Sequence, residues 1–183
     1  MIERARAKMG ATAGIVAAAG SHELVDIGFV FTTTCYDKDG NVIWEDVSHN
    51  TVTTAGKNDM LTQYFKAIGY TATWYVGLKD TGTVVVGDTM ASHGGWVEDV
   101  TYSNATRPAL VLGTASAGSV GNSASRAAFN INGTTTIYGC FLCNNSTVGG
   151  GSGTLYSGVD FTTGARAVLS GDTLSVQLTL SLT

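Results

Sequence analysis

Charged side chains are scarce: Asp, Glu, Lys and Arg make up 13% of the 183 residues, about half the share usual in soluble domains. The net charge is −4 and the pI about 5.2. That balance argues against a nucleic-acid partner, because such affinity rests on neutralising phosphates with Lys and Arg. No apolar run approaches the roughly 20 residues that span a bilayer as a helix, so no membrane partner is expected. Cysteine is limited to Cys35, Cys140 and Cys143, an odd count without the spacing of a disulfide scaffold, which fits synthesis in a reducing compartment. Proline occurs once, at Pro108.

Gly, Ser and Thr take up much of the gap, supplying roughly a third of the chain, well above ordinary composition. A surface of hydroxyls and backbone suits a protein packed against neighbours. Hydrophobic residues reach 44%, enough for one well-cored domain at this length and too many for disorder.

The closing segment is the clearest structural signal. Leu174, Val176, Leu178, Leu180 and Leu182 alternate with Ser175, Gln177, Thr179 and Ser181. This period of two belongs to a half-buried strand, and no helix places those side chains on one face. Earlier, Phe29 to Tyr36 and Val42 to Val47 flank Asp37-Lys38-Asp39-Gly40-Asn41, a hairpin signature. Thr53 or Thr54 caps an expected helix to about Ala67, with Met60, Leu61, Tyr64, Phe65 and Ile68 on one apolar face that packs on the sheets.

Further strands are expected at Thr73–Lys79, Thr83–Val86, Trp96–Tyr102, Arg126–Ile131, Thr134–Cys143, Leu155–Phe161 and Ala165–Leu169. A turn of helix is expected at Asp88–His93, and Ala109–Leu112 is extended. Asn132-Gly133 predicts a type I′ hairpin turn, Gly113–Ser125 a long loop, and Val148–Gly153 a flexible tip.

The fold class is therefore mostly β: an antiparallel β-sandwich of jelly-roll or immunoglobulin-like kind, with one inserted helix and an extended N-terminal arm. Residues 1–22 form the arm and 23–183 the sandwich domain. In the arm, Arg4, Arg6 and Lys8 precede a weakly apolar stretch, Met9–Ala19, in which only Ile15 and Val16 are strongly hydrophobic. The outline approaches a signal peptide, but Glu3 interrupts the basic region and the hydrophobicity is low. An arm lying on a partner is the better reading, with Arg4, Arg6, Lys8, Ile15 and Val16 as its contact residues.

No catalytic, cofactor or metal site is assigned. Cys140-Phe141-Leu142-Cys143 is a CxxC, but on a strand residues three apart face opposite ways. Zinc would need two more ligands from Cys35, His22, His49 or His93, without a second paired motif to supply them. Buried small side chains are the simpler reading. Asp172 is expected to bond its own turn. Gly149-Gly150-Gly151-Ser152-Gly153 lacks the Lys-Thr/Ser and strand-to-helix context of a phosphate loop. Glu98 and Asp99 beside Trp96 and Tyr102 could line a sugar-stacking face, with Trp44, Trp74 and Tyr75 as further candidate aromatics, although core packing is commoner for such rings.

The order Trp44-Glu45, His49-Asn50, Thr53-Thr54-Ala55-Gly56, Leu61, Trp74-Tyr75-Val76-Gly77-Leu78 resembles a family of small virion proteins of tailed bacteriophages. So does the later order Trp96, Tyr102, Ala105-Thr106-Arg107-Pro108, Asn122-Ser123-Ala124-Ser125, Phe129, Tyr138-Gly139, Phe141-Leu142, Gly153-Thr154-Leu155-Tyr156, Phe161, Ser170-Gly171-Asp172-Thr173-Leu174. The resemblance runs from about Trp44 to the end and leaves Met1–Tyr36 outside. It implies a structural protein of the virion, made in the host cytoplasm, with no catalytic residue and no cofactor. The expected function is a capsid decoration or cement protein, a homo-oligomer on the major capsid protein lattice. The alternatives are a tail or head-fibre adaptor bound to tail proteins and a carbohydrate-binding domain.

Overall fold

The computed structural model describes residues 27–66 and 73–182. The expected arm, with Arg4, Arg6, Lys8, Ile15 and Val16, lies outside the described residues, as does Ile68. Twelve strands and one helix are described, and two antiparallel five-stranded sheets face each other across a shared core.

The first sheet is built on the closing strand. Strand β12 (Thr173–Leu182) pairs with β1 (Ile27–Tyr36) residue for residue, from Ile27 opposite Leu182 to Tyr36 opposite Thr173. Strand β2 (Val42–His49) continues the sheet beyond β1. The hairpin turn forms as expected: Gly40 sits at φ +85°, and the Asp37 carboxylate accepts hydrogen bonds from Asp39 N–H and Asn41 N–H, both at 2.8 Å.

On its far edge β12 meets β7 (Ala127–Asn130) and then β6 (Ser119–Gly121). Asn122 bridges the gap between them. Its Nδ2 donates to Val176 O at 3.2 Å and its Oδ1 accepts from Leu178 N–H at 2.6 Å. The side chain thus supplies the backbone-like partners that an edge strand would otherwise lack.

The second sheet runs β3 (Thr51–Val52), β10 (Leu155–Asp160), β9 (Gly139–Cys143), β4 (Tyr75–Gly82) and β5 (Trp96–Asp99). Strand β9 is buried on both faces, and its side chains divide by the pleat. Cys140 and Leu142 join Phe31, Leu174, Val176 and Leu178 between the sheets. Phe141 and Cys143 join Val84, Met90 and Trp96 under the loop that covers the outer face. A two-stranded ribbon, β8 (Thr135–Ile137) with β11 (Arg166–Val168), closes the architecture.

Several local expectations are corrected. Thr83–Val86 is loop rather than strand, with only Val84 buried. Asp88–His93 makes turns around a Thr89–Ser92 bridge and no helix. The strand from Trp96 ends at Asp99, whose carboxylate turns the chain by accepting Thr101 N–H at 2.8 Å. Gly113–Ser125 contains β6, whose short Ser-Val-Gly run has no β-branched pattern to announce it.

Asn132-Gly133 joins strands of two different sheets instead of a hairpin, and neither residue has the positive φ that a type I′ turn requires. Thr134–Cys143 breaks at Tyr138 into β8 and β9.

Helix α1 (Thr54–Lys66) is capped as expected, with Gly56 N–H donating to Thr53 Oγ1 at 3.0 Å. Its packing differs from expectation. Gly56 lies so close to the Tyr156 backbone that a Cβ there would collide with it, which fixes the first turn on β10. Met60, one turn on, packs against the core. Leu61, Tyr64 and Phe65, expected on the buried face, remain 52%, 81% and 75% exposed. The helix is held by its small first-turn residue, so its large aromatic side chains project beyond the sheet.

Candidate functional site: an apolar groove beside helix α1

Where α1 leaves the sheet, the sandwich opens into a groove of about 270 Å³. Ile27 and Phe29 form one wall and Leu180 and Leu182 the next, while Met60 and Tyr156 close the helix side. Ala115, Gly118, Ser119 and Val120 form the rim opposite. The β1–β12 register creates the first two walls, because residues paired across the ladder share a face: Ile27 with Leu182 and Phe29 with Leu180.

The floor is aromatic. Tyr156 packs against Phe29 and Trp74, with ring centroids 5.4 and 4.8 Å away. Its hydroxyl donates to Met60 Sδ at 3.1 Å. Burial, with a smaller contribution from the Asp59 carboxylate, pushes this phenol up to about 12, so it stays neutral.

Beyond Met60 on the same helix, Tyr64 and Phe65 pack edge to face at 5.0 Å, and Tyr64 lies one turn from Met60. Covering a large apolar side chain contributes about 1.5–3 kcal/mol, so Leu61, Tyr64, Phe65 and the 54% exposed Leu182 together could stabilise an interface substantially. The groove holds too few convergent polar groups, and too little volume against the roughly 300–1,000 Å³ usual for small-molecule pockets, to suggest a small-molecule site. It suits apolar side chains of another polypeptide.

The chemistry-bearing side chains elsewhere are engaged in holding the fold. Arg107 is fully buried; Nε and Nη2 reach Glu98 Oε1 and Oε2 at 2.8 and 2.6 Å. Its Nη1 donates to Asn145 O at 2.9 Å and to Cys143 Sγ at 3.5 Å, and Nη2 also donates to Gly150 O at 3.0 Å. The glycine-rich tip is thereby tied down, with Gly149 N–H also on Glu98 Oε2 at 3.0 Å. Lys79 is buried between Asp160 and Gly82 O. Asp46 accepts from Ser48 and from the backbone and hydroxyl of the Thr162–Thr163 turn. Asp172 accepts Leu169 N–H at 2.8 Å, the turn role expected of it.

The two CxxC sulfurs face opposite sides of β9, as strand geometry requires. Burial pushes Cys35 and Cys140 up to about 12 and raises Cys143 as well.

The aromatic residues considered for a sugar platform do not share a face. Trp96 is buried on Phe141 and donates to Asp88 Oδ2 at 3.1 Å. Trp44 packs edge-on to Phe161, Trp74 lies against Tyr156, and Tyr75 packs on the outer cluster.

Sequence reasoning assigned α1's apolar residues to the core and so missed the groove. The available signal was Gly56, a helix-weakening residue in the first turn that marks the point of closest packing. No protein-family model and no curated protein matches the chain.

Proposed function

We propose that the chain is a structural protein of a tailed-bacteriophage particle, a capsid decoration or cement protein that binds the major capsid protein lattice and catalyses nothing. The observation that carries this reading is the exposed apolar side chains of α1 beside an apolar groove, on a scaffold whose buried Asp46, Lys79, Asp88, Asp99, Arg107 and Asp172 are engaged in internal hydrogen bonds. Such a patch on a low-charge surface favours protein association. The family resemblance gives the association its setting. Attachment would draw on both the arm, through Arg4, Arg6, Lys8, Ile15 and Val16, and the face beside α1.

The test is occupancy on purified particles of the corresponding phage. Protein lacking residues 1–22, with its β-structure verified by circular dichroism, is expected to bind the capsid weakly or not at all. Unchanged occupancy overturns the role of the arm. A lattice-like copy number in the particle supports a decoration protein, whereas a copy number matching the tail symmetry would move the same binding domain to a tail adaptor.

A further inference from the structure

We infer that Asn132 is a site of spontaneous covalent modification: the Gly133 amide nitrogen closes on its side chain, expels ammonia, and leaves aspartate or isoaspartate in the link between the first sheet and the β8–β11 ribbon. The inference concerns the chemistry of this chain alone and does not depend on which particle component it attaches to.

The reaction needs no reactant but water. Gly133 N gives up its proton to hydroxide and attacks Asn132 Cγ. A new C–N bond forms there, the bond from Cγ to Nδ2 breaks, and Nδ2 leaves as ammonia with a proton taken from water. Water then opens the five-membered imide at either carbonyl. Addition at Cγ gives aspartate, and addition at the main-chain carbonyl gives isoaspartate, with the chain rerouted through Cγ. Attack within one chain depends on close, unhindered approach. Glycine meets that condition because no Cβ crowds its nitrogen.

Three observations single out this residue. Asn132-Gly133 is the one Asn-Gly pair in the sequence. The other asparagines are engaged or blocked. Side chains of Asn41, Asn50, Asn104, Asn122, Asn144 and Asn145 are hydrogen-bonded. Asn58 lies within α1, and Asn130 lies in β7 with the β-branched Ile131 after it. Asn132 is exposed, lies outside helix and strand, and its side chain makes no hydrogen bond among the described residues.

The third observation is that the reacting peptide is a free span between two anchors. Before it, Ile131 N–H donates to Asp172 O and Ile131 O accepts from Gly171 N–H, both at 2.9 Å, and Asn132 N–H reaches Thr101 O at 3.3 Å. After it, Thr135 pairs with Val168 and donates its hydroxyl to Asp99 Oδ2 at 2.9 Å. Between the anchors, Gly133 N–H has no acceptor among the described residues. No hydrogen bond has to break before that nitrogen attacks, so the step requires local movement of the link and no wider unfolding.

The product changes both the charge and the length of the link. One carboxamide becomes a carboxylate, and this further negative charge takes the net charge from −4 to −5. Isoaspartate also adds an atom to the backbone between β7 and β8. Asn130 pairs with Thr173 at the start of β12, whereas Leu180 and Leu182 line the groove at its end. The modified link therefore lies at the far end of the sheet from α1.

Purified full-length protein held at 37 °C, at neutral and at mildly alkaline pH, tests this by peptide mass spectrometry with the site located by fragmentation. A gain of about 1 Da is expected at Asn132 ahead of every other asparagine and faster at the higher pH. Aspartate and isoaspartate should separate by chromatography as two products of equal mass. The native rate should lie within about tenfold of the rate in guanidinium-unfolded protein, because local freedom is sufficient for the attack. Asn132→Gln, which would have to close a six-membered ring, should lose this early gain while circular dichroism shows the fold retained. Another asparagine reacting first, a native rate below that tenfold limit, or an undiminished early gain in Asn132→Gln would each overturn the inference.

Discussion

The guanidinium of Arg107 bonds both oxygens of the Glu98 carboxylate, Nε to Oε1 at 2.8 Å and Nη2 to Oε2 at 2.6 Å, with the Arg107 side chain fully buried and Glu98 nearly so. The pair clamps β5 to the 145–150 loop, and Phe141 lies beneath the cation at 5.3 Å. Glu98→Gln keeps the shape but leaves a buried cation without its counter-charge. That change is expected to cost about 3–5 kcal/mol, measurable as a lowered midpoint in urea. A double change, Arg107→Met with Glu98→Leu, should cost less than the single one, because no uncompensated charge remains.

How much of this was legible beforehand depends on the range of the interaction. The β12 strand and the β1–β2 hairpin follow from local periodicity and turn chemistry, and both formed where expected. The Thr53 cap and the opposed cysteines follow from local geometry as well. Asn132-Gly133 failed as a hairpin signal because β7 is captured by β12 and β8 by β11, pairings that no local window contains. The Arg107–Glu98 clamp was equally hidden. Nine residues separate the two, and only the fold brings β5 beside the segment that Pro108 terminates. The groove was missed for a related reason, since helical periodicity shows which residues share a face but not how far the helix extends past its support.

Acid sensitivity should concentrate at Asp46. Burial acts to raise this carboxyl, but hydrogen bonds from Ser48, Thr162 and Thr163 outweigh it and hold it below the usual range. A depressed folded-state value contributes stability that is present above the unfolded value and is lost as pH falls through the folded one. Stability is therefore expected to fall as pH is lowered through and below the ordinary carboxylate range. Asp46→Asn should be less stable at pH 7 by about 1.5–3 kcal/mol, the worth of hydrogen bonds to a charged group. It should also show a flatter stability profile across the acid range. Denaturant midpoints of both proteins at several pH values decide this.

Two glycines should respond differently to alanine. At Gly77 the added methyl meets the Phe141 ring, and at Gly139 it meets the Val159 carbonyl in the paired strand. A side chain can be trimmed, whereas a ladder carbonyl cannot move without breaking the sheet. Gly77→Ala is expected to cost about 1–3 kcal/mol and to be partly rescued by Phe141→Leu. Gly139→Ala should cost more, and that second change should not rescue it. Thermal unfolding of the four proteins checks the contrast.

The three thiols provide an internal gauge of folding. Cys35, Cys140 and Cys143 are fully buried and raised, so the thiolate is rare and inaccessible. A disulfide reagent at pH 8 should titrate none of them in native protein and all three in denaturant. Their reaction rate should track the fraction unfolded across a urea series. Rapid reaction of Cys140 or Cys143 in the native state would contradict the burial on both faces of β9.

Tyr64 and Phe65 separate stability from assembly. Both side chains are largely exposed and their rings pair with each other, so exchanging them for serine is expected to remove little that the folded chain depends on. The unfolding free energy of Tyr64→Ser with Phe65→Ser should stay within about 0.5 kcal/mol of the native value, the range usual for surface substitutions. If the face beside α1 is a docking surface, the same pair of changes should weaken self-association or particle occupancy by tenfold or more, since each buried aromatic ring contributes on the order of 1.5–3 kcal/mol. Sedimentation velocity and capsid pull-down, run on the same preparation as the unfolding curve, read both quantities. A large stability loss would mean that these rings pack within the chain, and unaltered association would remove α1 from the interface.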